Sequence, residues 1–173
     1  MKKLRREQGF TLVEMLACVV ALILIGLTCS AAMNLATKSY WISRFESDSQ
    51  MLESTIDMYI GDILRYSDQV QTDGAGNVTT ITNENYRIVG GGIEIVPREG
   101  TEGGYFIIRQ IPGIEGTMLI SKASYADTLY VENLVLRYDA NTGIFTGEYT
   151  VRSTLLEEEA RRCVFSYRRI ANL

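Results

Sequence analysis

Histidine is absent from this chain of 173 residues. Histidine is the commonest general base, proton switch and nitrogen ligand for metals, so its absence excludes Ser-His-Asp and Cys-His catalysis and histidine-bound metal centres. A phosphate-binding glycine loop is also missing, because the glycines at 90–92 fall between two predicted strands and precede no helix. We therefore expect a protein that is not an enzyme and that needs no cofactor and no metal.

Cysteine is scarce as well. The first two of three, Cys18 and Cys29, are 11 positions apart in an apolar run. In a helix they would be about 16 Å apart, too far for a disulfide. Cys163 then has no partner in the C-terminal part of the chain, and we predict that it is a small buried apolar residue.

One long hydrophobic run lies near the N-terminus. No charged residue occurs from Met15 to Thr37, a stretch of 23 positions. As a helix it would be about 34 Å long, enough to cross a bilayer core of about 30 Å. The residues before it are basic: Lys2, Lys3, Arg5 and Arg6. The positive-inside rule therefore predicts a single-pass membrane protein with a cytoplasmic N-terminus and an extracytoplasmic C-terminal part.

Glu14 stands at the start of this run and needs an explanation, because a charge at the centre of a membrane helix costs about 2.5–3.5 kcal/mol on insertion scales. For a secretory signal peptide cut after Ala31, the run is long and Glu14 lies where its apolar region should begin. A lipoprotein signal cut before Cys18 would leave almost no apolar region. A plain membrane anchor explains the length of the run but not the glutamate.

The stretch "QGFTLVEML" at residues 8–16 resembles the class III signal of type IV prepilins and type II secretion pseudopilins. The shared features are a basic leader ending in glycine, a phenylalanine, a glutamate five residues into the mature chain and a directly following apolar run. The resemblance implies that a membrane-bound prepilin peptidase cuts between Gly9 and Phe10 and that Phe10 is then N-methylated. In detail it covers only about the first 30 residues.

The same resemblance implies a role for Glu14. Cleavage would create an α-amino cation on Phe10, and in assembled filaments of this family the glutamate is thought to meet the N-terminus of a neighbouring subunit. Glu14 would then set the assembly register; the alternative is an acid that snorkels to the membrane interface. Many major pilins have a proline in the run, whereas here the only prolines are Pro97 and Pro112, which favours a minor pilin or pseudopilin.

The helical pattern continues past the run, and a single helix from about Phe10 to Tyr66 would be about 85 Å long. We predict that one apolar stripe of this continuation packs on a sheet. Its members follow steps of three and four: Ile42, Phe45, Ser49, Leu52, Ile56, Tyr59 and Ile63.

The stretch "SDQVQTDGAGNV" at 67–78 predicts a loop that ends the helix. Short strands are predicted after it, over Val78–Thr82, Tyr86–Val89, Ile93–Val96, Tyr105–Gln110 and Thr117–Ser121. A hairpin then spans 129–153 with its turn at Asn141 and Gly143, and a last strand spans 161–170. For "LLEEEARR" at 155–162 a short helix is an open alternative.

Four arginines form the one basic cluster after the leader: Arg161, Arg162, Arg168 and Arg169. Beside Tyr167 they could contact nucleic acid. We expect instead that they pair with acids such as Glu157–Glu159, and nucleic acid stays the less favoured alternative partner. The acidic balance agrees, since residues 1–9 carry +3 and the rest of the chain carries −7.

The expected fold class is α+β, with a long N-terminal helix, transmembrane in its first half, packed on an antiparallel β-meander, as in type IV pilin-like subunits. The expected domains are a leader peptide (1–9), a transmembrane and assembly helix (10–35), its amphipathic continuation (36–68) and a β-rich globular domain (69–173).

The resemblance implies a structural subunit, minor pilin or pseudopilin, of a type IV pilus-like filament for motility or adhesion, secretion or DNA uptake. Its partners would be the prepilin peptidase, other pilin or pseudopilin subunits and the inner or cytoplasmic membrane, with a surface or periplasmic location after assembly. The alternative is a membrane-anchored or secreted binding domain that never polymerises, in which the Gly9–Phe10 bond stays uncut.

Overall fold

The computed structural model describes residues 11–170 and has an α+β fold, which confirms the predicted class. One helix, α1, spans Leu12–Arg65, and an eight-stranded antiparallel sheet follows it. The described chain divides into two compact units, with the boundary between Trp41 and Ile42. The second unit contains the end of α1 and the whole sheet.

The sheet is antiparallel throughout, and its strands follow the order β1-β2-β3-β4-β6-β7-β8, with β5 paired to the free part of β4. A short 3₁₀ helix, Lys122–Tyr125, lies between β5 and β6. The strand bounds are β1 Gln69–Thr72, β2 Val78–Asn83, β3 Ile88–Pro97, β4 Gly104–Arg109, β5 Thr117–Met118, β6 Leu129–Asp139, β7 Ile144–Ser153 and β8 Ala160–Arg168.

The glycines at 90–92 do not separate two strands, as the sequence predicts, but lie inside β3. At Gly91 an added Cβ would lie 1.7 Å from the carbonyl oxygen of Arg109, so only glycine lets the two backbones approach this closely. Gly90 has a φ of 65°, which also favours glycine. The predicted strand break is therefore wrong, and Tyr86 lies in the turn before β3.

Two other segments also differ from the sequence-based expectation. The loop predicted at 67–78 contains β1, which pairs with β2 across a turn held by Asp73, whose Oδ1 accepts hydrogen bonds from the N–H groups of Ala75 and Asn77 at 2.9 Å. At 155–162 the short-helix alternative is wrong. The chain turns there, and β8 begins at Ala160.

The core of the second unit lies between residues 42–65 of α1 and the inner face of the sheet. The buried helix residues include Phe45, Leu52, Ile56 and Ile63, as the stripe predicts. Tyr59 is instead 37% exposed, and Ile60 is buried. With 3.6 residues per turn, alternating steps of three and four drift off the buried face, so the prediction for Tyr59 is wrong. Aromatic strand residues complete this core, among them Phe106, Phe145, Tyr149 and Phe165.

The carbonyl groups at the end of α1 are satisfied from the sheet, as a buried helix end requires. Asn83 Nδ2 donates to the Ile63 oxygen at 2.9 Å, and the Ile170 N–H donates to the Arg65 oxygen at 2.7 Å. Arg169 Nε donates to the Ser67 oxygen at 2.8 Å. A cation near a helix C-terminus also interacts favourably with the helix dipole.

Candidate functional site

The predicted site residues fall at the start of α1. Gly9 and Phe10 lie outside the described residues, so their predicted roles in cleavage and N-methylation are not addressed by the structure. Glu14 is described and lies in the first turn of the helix. The structure brings it together with a residue that the sequence analysis does not single out, Thr11.

Thr11 and Glu14 form a reciprocal capping box. The backbone N–H and the hydroxyl of Thr11 both donate to Glu14 Oε2, at 2.8 Å and 3.0 Å. In return, the Glu14 N–H donates to Thr11 Oγ1 at 3.3 Å. Since α1 begins at Leu12, Thr11 is the N-cap residue and Glu14 is the third helical residue, which is the arrangement that satisfies two free N–H groups at once.

The signal for this motif is present in the sequence as "TLVE", a threonine followed three positions later by glutamate. In the structure Glu14 therefore has hydrogen-bond partners within its own chain. A capping residue stabilises a helix end by about 1 kcal/mol, and a carboxylate near a helix N-terminus is favoured by the helix dipole. Both hydrogen bonds from Thr11 reach Oε2, and within residues 11–170 no hydrogen bond is recorded to the second carboxylate oxygen.

The surface that follows Glu14 is apolar on all sides. Every residue from Leu12 to Tyr40 is exposed, including the leucine, isoleucine and valine side chains of the run. Soluble monomers rarely expose a continuous apolar patch of this extent. Within the part of the chain that the structure describes, α1 is the one helix long and apolar enough to span a membrane.

Both threonine hydroxyl groups inside the run donate hydrogen bonds to the backbone of the helix itself. Thr28 Oγ1 donates to the Ile25 carbonyl oxygen at 2.9 Å, and Thr37 Oγ1 donates to the Met33 carbonyl oxygen at the same distance. Hydroxyl groups satisfied in this way can enter an environment without water at little cost.

Cys163 lies in β8 and is buried, as its strand pattern predicts. Burial raises the pKa of its thiol to about 11, so the thiolate that nucleophilic chemistry requires is disfavoured. Among residues 11–170, no group of three or more acidic or cysteine side chains is placed to hold a metal ion.

Three of the four arginines near the C-terminus have separate partners. Arg161 pairs with Glu53 of α1 at 2.7 Å, and Arg162 pairs with Glu148 of β7. Arg169 donates to the backbone oxygens of Ser67 and Asp68, just after the end of α1. Arg161 and Arg162 therefore pair with acids, as predicted, but not with the acids at 157–159, because β8 places these two arginines beside α1 and β7.

Comparison with family models, with curated proteins and with solved structures finds no match to this chain. Its architecture, one long apolar N-terminal helix whose later part packs on an antiparallel sheet, resembles that of pilin-like subunits.

Proposed function

We propose that this protein is a structural subunit, a minor pilin or pseudopilin, of a type IV pilus-like filament. In this proposal a prepilin peptidase cuts after Gly9, Phe10 is N-methylated, and the apolar part of α1 moves from the membrane into the centre of a filament. The machine would serve motility or adhesion, secretion or DNA uptake.

The observation that carries the proposal is the combination of an exposed apolar helix with one acid held at its start. From Leu12 to Thr37 the only charged residue is Glu14. It lies four positions after the phenylalanine of a Gly-Phe junction, which is the spacing that the family resemblance requires. An apolar surface of this kind needs a cover, which lipid provides before assembly and neighbouring helices provide after it.

The capping box supplies a physical account of how Glu14 serves both states. In the single subunit the two hydrogen bonds from Thr11 stabilise the charged carboxylate. On assembly, its remaining oxygen accepts a charge-assisted hydrogen bond from the α-amino group of a neighbouring Phe10. Such bonds are about twice as strong as neutral ones and stronger still away from water, so this contact favours one register.

Removing the leader changes the charge balance at the same place. Residues 1–9 carry a net charge of +3, which holds the precursor at the cytoplasmic face of the membrane. Their loss leaves one new cation, the α-amino group of Phe10, beside Glu14. The precursor is thereby converted from a membrane-retained chain into one that can be extracted and assembled.

The experiment that tests this proposal is the intact mass of the protein purified from its native membrane, compared with a Gly9→Ala variant. We expect a wild-type chain that begins at N-methylated Phe10 and a variant that keeps its leader. A wild-type chain that begins at Met1, or one cut after Ala31, would contradict the proposal and favour a membrane-anchored or secreted binding domain.

A further inference from the structure

An aromatic pair lies at the C-terminal end of the apolar part of α1. Tyr40 and Trp41 lie in edge-to-face contact, with ring centroids 5.4 Å apart and planes at 71°. Tyr40 is 58% exposed and Trp41 is 36% exposed, although both are large. Lys38, the first basic residue after the run, is also exposed. Two amphipathic rings and an ammonium group thus follow directly on a surface that is otherwise apolar.

The distance between this pair and Glu14 matches the thickness of a bilayer. Glu14 and Tyr40 are 26 positions apart, which corresponds to about 39 Å along a helix. The full bilayer with its headgroup layers is about 40–45 Å thick, and its hydrocarbon core is about 30 Å thick. If the uncharged run fills the core, Glu14 and the aromatic pair both fall within headgroup layers, on opposite sides.

We propose that Tyr40 and Trp41 anchor the stored subunit in the extracytoplasmic headgroup layer of a phospholipid bilayer and thereby set the depth of α1. The inference rests on the proposed function, in which the precursor is held in the membrane before assembly. Tyrosine and tryptophan favour this layer because one part of each ring system is apolar and the other donates a hydrogen bond. The Lys38 ammonium group can reach lipid phosphates from the same end.

This anchor has a consequence at the other end of the helix. With the aromatic pair fixed at one interface, Glu14 cannot slide into the hydrocarbon core and lies within reach of water and headgroups. The acid at the start of the run is then tolerated during storage, and its capping box with Thr11 persists there.

Trp41 is the only tryptophan of the chain, so its fluorescence reports on this position alone. The experiment uses the full-length Gly9→Ala protein reconstituted in phosphatidylcholine vesicles that contain lipids brominated at a shallow, a middle or a deep acyl position. We expect the shallow bromines to quench Trp41 most and the deep bromines least, with partial quenching by aqueous iodide.

Two reference variants, Leu24→Trp and Ala36→Trp, each carried with Trp41→Phe, calibrate the depth. Leu24 is exposed near the middle of the run, so the order of quenching should reverse there, and position 36 should be intermediate. Suppose that deep bromines quench the tryptophan of Leu24→Trp most strongly. If they quench Trp41 equally, or if only aqueous iodide quenches Trp41, the anchor is overturned while membrane storage stands. If no bromolipid quenches Leu24→Trp, the helix is not inserted, and membrane storage fails together with the anchor.

Discussion

The two parts of α1 have the same backbone structure and opposite surroundings. From Leu12 to Tyr40 every side chain is exposed, whereas between Ile42 and Arg65 one face is buried against the sheet. The sheet covers one face of the second part, whereas nothing among residues 11–170 covers the first part. Soluble monomers rarely expose an apolar surface of this extent. This is why we propose that lipid or other subunits cover the first part.

The composition of each part accounts for the difference. The first part is apolar on all sides and contains one acid, which the capping box holds at its start. The second part has one apolar stripe, and acids such as Asp48 and Asp62 lie mainly on its other faces, so burial is favourable for one face only. Matched substitutions in the two parts therefore test whether the sheet stabilises only the second.

The largest contrast is expected for isoleucine. Ile56 is fully buried, so Ile56→Ala should lower the free energy of unfolding of the globular unit by about 2–5 kcal/mol through lost burial and a cavity. Ile23 is exposed, and Ile23→Ala should change the free energy of unfolding of the globular unit by less than about 0.5 kcal/mol. Chemical denaturation of the full chain in detergent, followed by near-UV circular dichroism, measures both. Equal effects would mean that the sheet does not distinguish the two parts of the helix.

Glycine offers a second matched pair. An added Cβ at Gly61 would lie 3.3 Å from Cε1 of Tyr167, while nothing lies within 4 Å of the same position at Gly26. The Tyr167 ring cannot easily move, because it stacks on Phe165 at 5.3 Å and its hydroxyl donates to Asp57. Gly61→Leu should therefore destabilise the globular unit by about 1–3 kcal/mol through overpacking.

The control for this substitution is Gly26→Leu, which should leave the midpoint of the same denaturation curve unchanged. If Gly61→Leu were as stable as the unsubstituted chain, the described contact between α1 and β8 would be contradicted.

High pH should also separate the two parts, because the buried tyrosines all belong to the globular unit. Burial raises the pKa of Tyr125 from its ordinary 10.0 to about 12, and burial also raises the pKa of Tyr149. Between pH 10 and 12 the hydroxyl of Tyr125 keeps its proton in the folded state but loses it in the unfolded chain. The contribution of this group to stability is therefore complete below pH 10 and falls as the pH rises from 10 to 12.

Near-UV circular dichroism during alkaline titration should show the globular unit unfolding in this range while the helical signal of the first part persists. Tyr125→Phe should weaken the pH dependence. At neutral pH this variant should also be less stable, by about 1–3 kcal/mol, because the buried Phe106 N–H loses the hydroxyl that accepts its hydrogen bond. A globular unit whose stability did not change from pH 10 to 12 would contradict the buried position of these hydroxyls.

The smallest effect on the fold is expected at the start of the helix. Thr11→Val removes the hydroxyl of the capping box and should weaken the first turn by about 0.5–2 kcal/mol without changing the unfolding of the globular unit. Hydrogen exchange of the amides at residues 12–15 measures this loss. Thr11→Ser, which keeps the hydroxyl, should exchange at nearly the original rate, and a matching loss in both variants would argue against the cap.

Much of the difference between the two parts of α1 can be predicted from the sequence, because it depends on local patterns of residues. The uncharged run and the amphipathic stripe predict a long helix, and "TLVE" contains the capping signal. Tyr59 is assigned to the wrong face because the steps of three and four lose phase with the helix. The glycines of β3 are misassigned for another reason. Gly91 must be glycine because the backbone of Arg109 lies too close for a side chain, and Arg109 is distant in the sequence.

Long-range pairs were not predictable in the same way. Arg161 pairs with Glu53, which lies 108 positions earlier, and no local rule relates the two residues. The local alternative, pairing with the acids at 157–159, is the one that a sequence favours, and it fails because the chain turns before β8 begins. Such contacts depend on the topology of the sheet.

The measurement that tests the account most directly is photo-crosslinking from the exposed part of α1. A photoactivatable residue in place of Leu24, in the native host, should join the mature chain to other filament subunits. With the leader retained by Gly9→Ala, it should join only to lipid. Lipid adducts alone in both chains would contradict the account, because the apolar helix would then never exchange its membrane cover for one made of neighbouring helices.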